Sequence, residues 1–477
     1  MFSKLLRMQR RLRIFCVGFA LSLLSFPAFS VDLTLEDCLA VALTDNPTIK
    51  VADMEITKAD YSKKETLGAL LPSISFDGSY NRTVKKQVMY MGLGSFGDMG
   101  DFGDMGGEGS DSEDSPAISS GVDEGFKVGL DNMYSLGFQF SMPLIAPQLW
   151  TSLKLSDVQI ARAAEQARAS RIDMVNQVKN AFYALLLAYD SKKVVEESYA
   201  MAELTHSVYK KRLAVGDASE YDVLRTSVAM KNIEPELIQC DIAVSRAHLQ
   251  LAILMGVDVD TPFTIVGSLA DYESNMYGDV LSIQPDLSQN TSLLMNDIET
   301  LALERTLKLQ KSAWWPTLAL GANYTWNSSS NGSPFKNFRW TPYSVVGLSL
   351  SVPIFQGGQR YARIKQARIQ LDQMEWTREN LVRTINSQVT LAIDNIQLNV
   401  KQIASSKESV AEADRAHSIQ QKSFEIGAAS YLELRDSELS LTRAKLAYYQ
   451  SLYNFMVANS DLELLLGNAP VESYVNK

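Results

Sequence analysis

"VGDASEYD" (Val215–Asp222) and "IGAASYLE" (Ile426–Glu433) are near-copies, and each interrupts a run that otherwise reads as one long helix. From Pro147 to Val215 the chain is rich in Ala, Arg, Gln, Leu and Glu, with no Gly or Pro after Pro147. Gln359 to Ile426 matches it. At a rise of about 1.5 Å per residue each run is on the order of 100 Å long. Gly216 and Gly427 supply turn backbone at little steric cost, and Ser219 and Ser430 stand where they N-cap the descending helices. The two stretches are therefore predicted to be the turns of two helical hairpins, 146–256 and 357–467. The descending arms, 218–255 and 429–466, are about 57 Å by the same rise. Helices before the strands, at 35–70 and 285–314, are about 45–55 Å. A short pair stacked end to end would match one long helix.

The repetition extends beyond the turns. "LAILMG" ending at Gly256 returns as "LELLLG" ending at Gly467. "LPSISFDGSY" (Leu71–Tyr80) aligns with "WPTLALGANY" (Trp315–Tyr324), and "LGFQFSMPLIAPQ" (Leu136–Gln148) with "VGLSLSVPIFQGG" (Val346–Gly358). A near-constant offset over three blocks marks an internal duplication. The first copy carries an insertion between its two strand segments. Each half reads helix, strand, strand, long helix, turn, helix.

The strand segments alternate. Ile74, Phe76, Gly78 and Tyr80 share one face, as do Leu136, Phe138, Phe140 and Met142. So do Leu318, Leu320, Ala322, Tyr324 and Trp326, and Val346, Leu348, Leu350 and Val352. The opposite faces hold small or polar residues, and aromatics gather toward the distal ends. This pattern fits a half-buried antiparallel sheet, and more weakly a membrane barrel with lipid outside and water inside. Four strands cannot close a barrel, and open edges are not tolerated in lipid. A barrel here must be assembled from several copies. Helices this long also need coiled-coil neighbours to bury their faces.

The ends and the composition narrow the class. Five basic residues from Lys4 to Arg13 precede the apolar "IFCVGFALSLL" (Ile14–Leu24), too short to span a bilayer, and the small-residue site Ala28-Phe29-Ser30. Residues 1–30 read as a secretory signal peptide. No later run looks long enough for a transmembrane helix. With 46% hydrophobic and 21% charged residues and a net charge of −10, the chain supports a large folded body and argues against nucleic acid as a partner. Beyond the leader only Cys38 and Cys240 remain, too few for a disulfide framework. Three histidines and no phosphate-binding glycine loop leave little for an enzyme, and no cofactor or metal is implied. A periplasmic coiled-coil scaffold or adaptor without a barrel, and a simple porin, remain as alternatives; the long helices argue against the porin.

"NP" at Asn46-Pro47, "LP-S-I" at Leu71–Ile74, "SVPIFQGG" at Ser351–Gly358 and "GAASYLEL" at Gly427–Leu434, with the doubling itself, carry a family likeness. The chain resembles the outer-membrane efflux proteins of the TolC type over essentially its whole length beyond the leader. The resemblance implies a mixed α and membrane β fold: four transmembrane strands per protomer, a 12-stranded barrel in a homotrimer, and a periplasmic α-helical coiled-coil tunnel. It implies a passive exit duct of a tripartite efflux pump or type I secretion system in the outer membrane of a Gram-negative bacterium. The implied partners are outer-membrane lipid, a periplasmic membrane-fusion adaptor and an inner-membrane transporter of RND, ABC or MFS type. On this footing the organisation is signal peptide 1–30, first-repeat helical segment 31–71, first strand pair 72–145 with an extracellular loop 83–133, and hairpin 146–256. An equatorial linker 257–284 follows, then a helix 285–315, the second strand pair 316–356, hairpin 357–467 and a tail 468–477.

The family's tips meet the adaptor and close the duct. That assigns adaptor contact to Val215, Gly216 and Asp217 and to Ile426, Gly427 and Ala428, and the gate to Asp222, Glu433 and Asp436 with Gly216 and Gly427. Glu433 and Asp436 share one helical face, so three copies would ring a constriction with carboxylates. Crowded carboxylates should titrate above their usual range and favour cations. Asp222 is expected to contact the other hairpin. The family's closing Tyr and Arg are absent: those positions hold Phe424 and Ala429. His206 and His417 occupy equivalent positions and read as packed interfacial side chains. The acidic Gly-rich insertion, Gly92 to Gly125, reads as a disordered cell-surface loop.

Overall fold

A computed structural model describes residues 31–89, 126–275, 286–333 and 339–468. The predicted leader, the 92–125 insertion, part of the equatorial linker and nearly all of the tail lie outside them. The elements run β1 (Val31–Leu33), α1 (Leu35–Asp45), α2 (Pro47–Gly68), β2 (Ser73–Arg82), β3 (Gln87–Met89), β4 (Phe126–Val128) and β5 (Asn132–Ile145). Then come α3 (Pro147–Ala214), α4 (Glu220–Lys231), α5 (Glu234–Met255), β6 (Phe263–Ile265) and a 3-10 turn at Leu269–Asn275. The second half holds α6 (Thr291–Ser312), β7 (Thr317–Ser330), β8 (Thr341–Ser351), α7 (Gln359–Glu425) and α8 (Tyr431–Leu466). Two compact units result: Met1–Ser62, Leu155–Glu304 and Gln366–Lys477 form one, and Lys63–Lys154 with Arg305–Lys365 form the other.

The second unit is a four-stranded antiparallel sheet in the order β2-β5-β7-β8. Its register brings the predicted apolar faces onto one side. Ile74 pairs with Phe140, Phe140 with Ala322, and Ala322 with Val346. Rings line up across the strands: Phe76 and Phe138 lie 4.9 Å apart, Tyr80 and Tyr134 4.8 Å, and Phe138 and Trp326 6.2 Å. Such cross-strand pairs stabilise a sheet. The apolar face is nonetheless open, with Ile74 73% and Val346 74% exposed. Among the described residues, β2 and β8 each keep one unpaired edge. The loop expected over 83–133 is partly structured, because β3 and β4 pair antiparallel within it.

The first unit is helical, with β1 and β6 pairing in parallel beside the bundle. Its core joins Leu39 and Ala42 of α1, Phe182, Leu185 and Leu186 of α3, Leu251 and Met255 of α5, Ile396 of α7 and Leu452 and Phe455 of α8. Burying each large side chain contributes about 1.5–3 kcal/mol. Two helices expected to be continuous are broken, and proline is the reason for both. Pro47 opens α2 after Asn46, which is held extended (φ −61°, ψ 127°). Pro235 ends α4 at Lys231, whose carbonyl a proline four residues on cannot satisfy.

The expected end-to-end stacking is present and is built the same way in both repeats. Asn46 donates its side-chain amide to Leu254 O at 2.7 Å, and Asn290 donates to Leu465 O at 2.6 Å. Their side-chain oxygens accept from Thr48 N and Leu293 N. Each asparagine thus ties the start of one short helix to the end of a hairpin arm. Gly256 and Gly467 end those arms in left-handed backbone (φ 72° and 71°).

Among the described residues one segment, Glu220–Met255, is long and apolar enough to cross a membrane by length and composition, contrary to the sequence expectation. It is broken at Asn232-Ile233. Its exposed apolar residues Ile238, Ile242, Leu249 and Ile253 recur along one helical stripe. That stripe is one-sided rather than apolar all round.

Candidate functional site: the paired hairpin tips

Both turns end their ascending helix in the same way. Gly216 has φ 80° and Gly427 φ 76°, left-handed values that a side chain would strain. Asp217 N donates to Arg212 O at 2.8 Å and Gly216 N to Leu213 O at 3.0 Å. Ala428 N donates to Ser423 O at 2.7 Å and Gly427 N to Phe424 O at 3.0 Å. This is the Schellman arrangement, which satisfies the last helix carbonyls. Val215 and Ile426 stand out at the two apices, 80% and 82% exposed.

The descending helices start with reciprocal capping boxes, as the serines predicted. Asp222 N donates to Ser219 Oγ (3.1 Å), while Ser219 N and Oγ donate to Asp222 Oδ2 (3.2 and 2.7 Å). Ser430 N and Oγ donate to Glu433 Oε2 (2.8 and 3.0 Å), and Glu433 N donates back at 3.4 Å. These bonds favour the charged form, so both carboxyls are held below their usual range, the serine bonds being the main cause. Within one chain, then, Asp222 and Glu433 move opposite to the direction that crowding would impose. Each keeps one carboxylate oxygen outside the cap. Asp436, one turn beyond Glu433, is exposed and makes no capping bond.

The hydrogen bonds of Asp222 among the described residues lie inside its own turn. Arg225, one turn on, contacts the second hairpin: its guanidinium lies 5.2 Å from the Tyr431 ring centre. Tyr209 of α3 lies 5.6 Å from Tyr431 and 6.1 Å from Phe424. Arg212 caps the group, 5.8 Å from the Tyr209 ring and 5.5 Å from Phe424. Aromatic pairs and cation–π contacts of this kind each contribute about 0.5–1.5 kcal/mol. Phe424, at the position of the missing tyrosine, is buried in this cluster.

Sequence reasoning missed Tyr209, Arg212, Arg225 and Tyr431. A signal was present, because these are positions where the repeats disagree. Their counterparts in the other copy are Gln420, Ser423, Asp436 and Glu220. The histidines behave as expected: His206 Nδ1 lies 3.1 Å from Thr226 Oγ1 and His417 Nδ1 3.2 Å from Ser437 Oγ.

Comparison with known proteins gives one consistent set of matches. A family model described as outer membrane efflux protein matches residues 39–257 and 283–468. The outer membrane protein TolC of Vibrio cholerae is 20% identical over 338 residues, 70% of this chain and 77% of its own length. The probable efflux pump outer membrane protein TtgC of Pseudomonas putida is 23% identical over 311 residues, 64% of this chain and 63% of its own length. In fold, the Campylobacter jejuni CmeC outer membrane channel superposes with a TM-score of 0.67 at 15% identity, over 93% of this chain and 88% of that one.

Proposed function

The chain belongs to the outer membrane efflux protein family, and from that premise we propose that three copies assemble one passive duct gated at the paired tips. Members of this family are transport proteins of the outer membrane rather than enzymes, and this chain is an outer-membrane component of efflux machinery. That location removes the reading as a barrel-free periplasmic scaffold.

The observation that carries the trimer is the open sheet. Its apolar face suits lipid, whereas its two unpaired edges would be costly there and need pairing with other copies. Four strands from each of three copies make a 12-stranded barrel. Exposed apolar stripes on α5 and on α7 (Ile369, Trp376, Leu391 and Leu398) supply seams for neighbouring helices. The exposed turns Val215–Asp217 and Ile426–Ala428 meet a periplasmic adaptor, which links the duct to an inner-membrane transporter. Detergent extraction followed by light scattering tests this: a trimer is expected, and a monodisperse monomer from the native membrane would overturn it.

The gate consists of Asp436 with the uncapped oxygen of Glu433, threefold repeated about the axis, while Asp222 holds the neighbouring turn in shape. Replacing both second-repeat carboxylates (Glu433→Gln with Asp436→Asn) should lower cation selectivity in planar bilayers and weaken block by multivalent cations, with trimer assembly unchanged. Unchanged selectivity and block would reject the carboxylate ring.

A further inference from the structure

Between the two hairpins α3, α7 and α8 line a half-open cavity of about 230 Å³ that the gate does not use. Its walls are largely apolar: Met201, Leu204 and Val208 from α3, Phe424 from α7 and Leu434 from α8. His417 and Glu438 line it too, and the hydrogen bonding around them sets what each can offer.

Ser437 Oγ donates to Leu434 O at 2.6 Å, so its single proton is committed. The 3.2 Å contact with His417 Nδ1 is therefore an N–H donated by the imidazole, which leaves Nε2 as an acceptor. Burial holds this imidazole toward its neutral form; Asp414 opposes that and Lys445 adds to it. Glu438 is half-buried, and among the described residues no donor lies within hydrogen-bond distance of its carboxylate. Burial pushes that carboxyl up, against the pull of Arg435 on its own helix.

Two other charged groups line the cavity, Arg212 and Glu425. Arg212 lies over the Tyr209 and Phe424 rings. Glu425 is exposed and accepts from Gln421 Nε2 at 3.3 Å. Glu438 and His417 thus face apolar walls, with the polar side chains of Thr205 and Gln421 also in the lining. The duplication supplies an internal contrast: His206 repeats the imidazole–hydroxyl bond, but the first-repeat counterpart of Glu438 is Ser227. A carboxylate at this position is particular to the second hairpin.

We propose that this cavity binds a small amphipathic ammonium, a primary amine carrying one ring-sized apolar group, with Glu438 and His417 Nε2 as its acceptors. An ammonium brings three donors and no acceptor, and the apolar walls take its hydrocarbon part. Occupancy depends on the fold of the two hairpins and stands apart from whether the tips gate a duct.

The test is a titration of the detergent-solubilised full chain with 2-phenylethylammonium, followed by saturation-transfer NMR, with neutral 2-phenylethanol as the matched probe. Saturable binding of the ammonium is expected, about tenfold tighter than the alcohol. Glu438→Gln should bring the ammonium down to the level of the alcohol. Val208→Phe, which fills the cavity and leaves the carboxylate in place, should remove both. Oligomer elution and melting temperature identify any variant that has failed to fold. Absence of saturable binding to the native chain overturns the proposal. So does an ammonium affinity that folded Glu438→Gln or Val208→Phe leaves unchanged.

Discussion

Ser219 and Asp222 exchange hydrogen bonds across the first turn of α4, and Ser430 and Glu433 do the same for α8. Losing a cap serine costs about 1 kcal/mol, so Ser430→Ala should lower amide-exchange protection in the first turn of α8 and leave α4 unchanged. The carboxyls add a pH dependence whose sign follows from their depressed values. A carboxyl lowered on folding stabilises fully above its unfolded value, and that contribution disappears as pH falls through the folded one. Protection factors at Ser219 and Ser430 should therefore hold steady above about pH 6 and decline below about pH 4. A decline beginning near neutrality would contradict the capping assignment. Two glycines separate backbone strain from crowding. A Cβ on Gly216 meets nothing within 4 Å, so Gly216→Ala costs only the left-handed backbone penalty, about 1–2 kcal/mol. A Cβ on Gly467 would run into the backbone of Gln289. Gly467→Ala should therefore depress the melting temperature well beyond Gly216→Ala, and equal shifts would show that the Asn290 joint is slack.

The strands and helices differ in how much of them the sequence exposes. Period-two alternation placed the apolar faces of β2, β5, β7 and β8, and the observed register puts them on one side. A one-residue slip would have inverted every side chain, so the alternation and the register fix each other. This predicts an asymmetry between adjacent β8 positions. In the proposed barrel Leu348→Arg places a charge on the lipid-facing side, at roughly 2–4 kcal/mol near the bilayer midplane, and should abolish outer-membrane insertion. Ser349→Arg, on the other face, should insert normally; immunodetection in outer-membrane fractions distinguishes the two. The helix breaks at Asn46-Pro47 and before Pro235 were present as prolines, yet long periodic stretches outvoted them. Periodicity averages over a window, whereas one missing N–H acts at a single bond.

For the molecule as a whole, the decisive contacts are the ones that break the symmetry of the duplication. Arg225 and Tyr209 of the first hairpin meet Tyr431 and Phe424 of the second. If this cluster holds the two tips together, Arg225→Ala and Tyr431→Ala should each raise resting conductance in planar bilayers and leave ion selectivity as it was. The two effects should also be less than additive, because both substitutions remove the same contact. Selectivity that shifts with Arg225→Ala would instead place that residue in the conducting path.

The sequence by itself determined the duplication, the two turns with their glycines and capping serines, the faces of the four strands, and the family. All of these rest on local rules: backbone freedom at glycine, capping over three residues, and side-chain alternation. Only the tertiary structure decided what Asp222 and Glu433 bond to, which side chains join the hairpins, and how the short helices abut through Asn46 and Asn290. Those outcomes depend on groups far apart in the chain. A carboxylate near a tip has no preferred partner until packing determines which donors come within about 3 Å. Here the nearest donor belonged to its own cap, and the reach across to the second hairpin fell to Arg225.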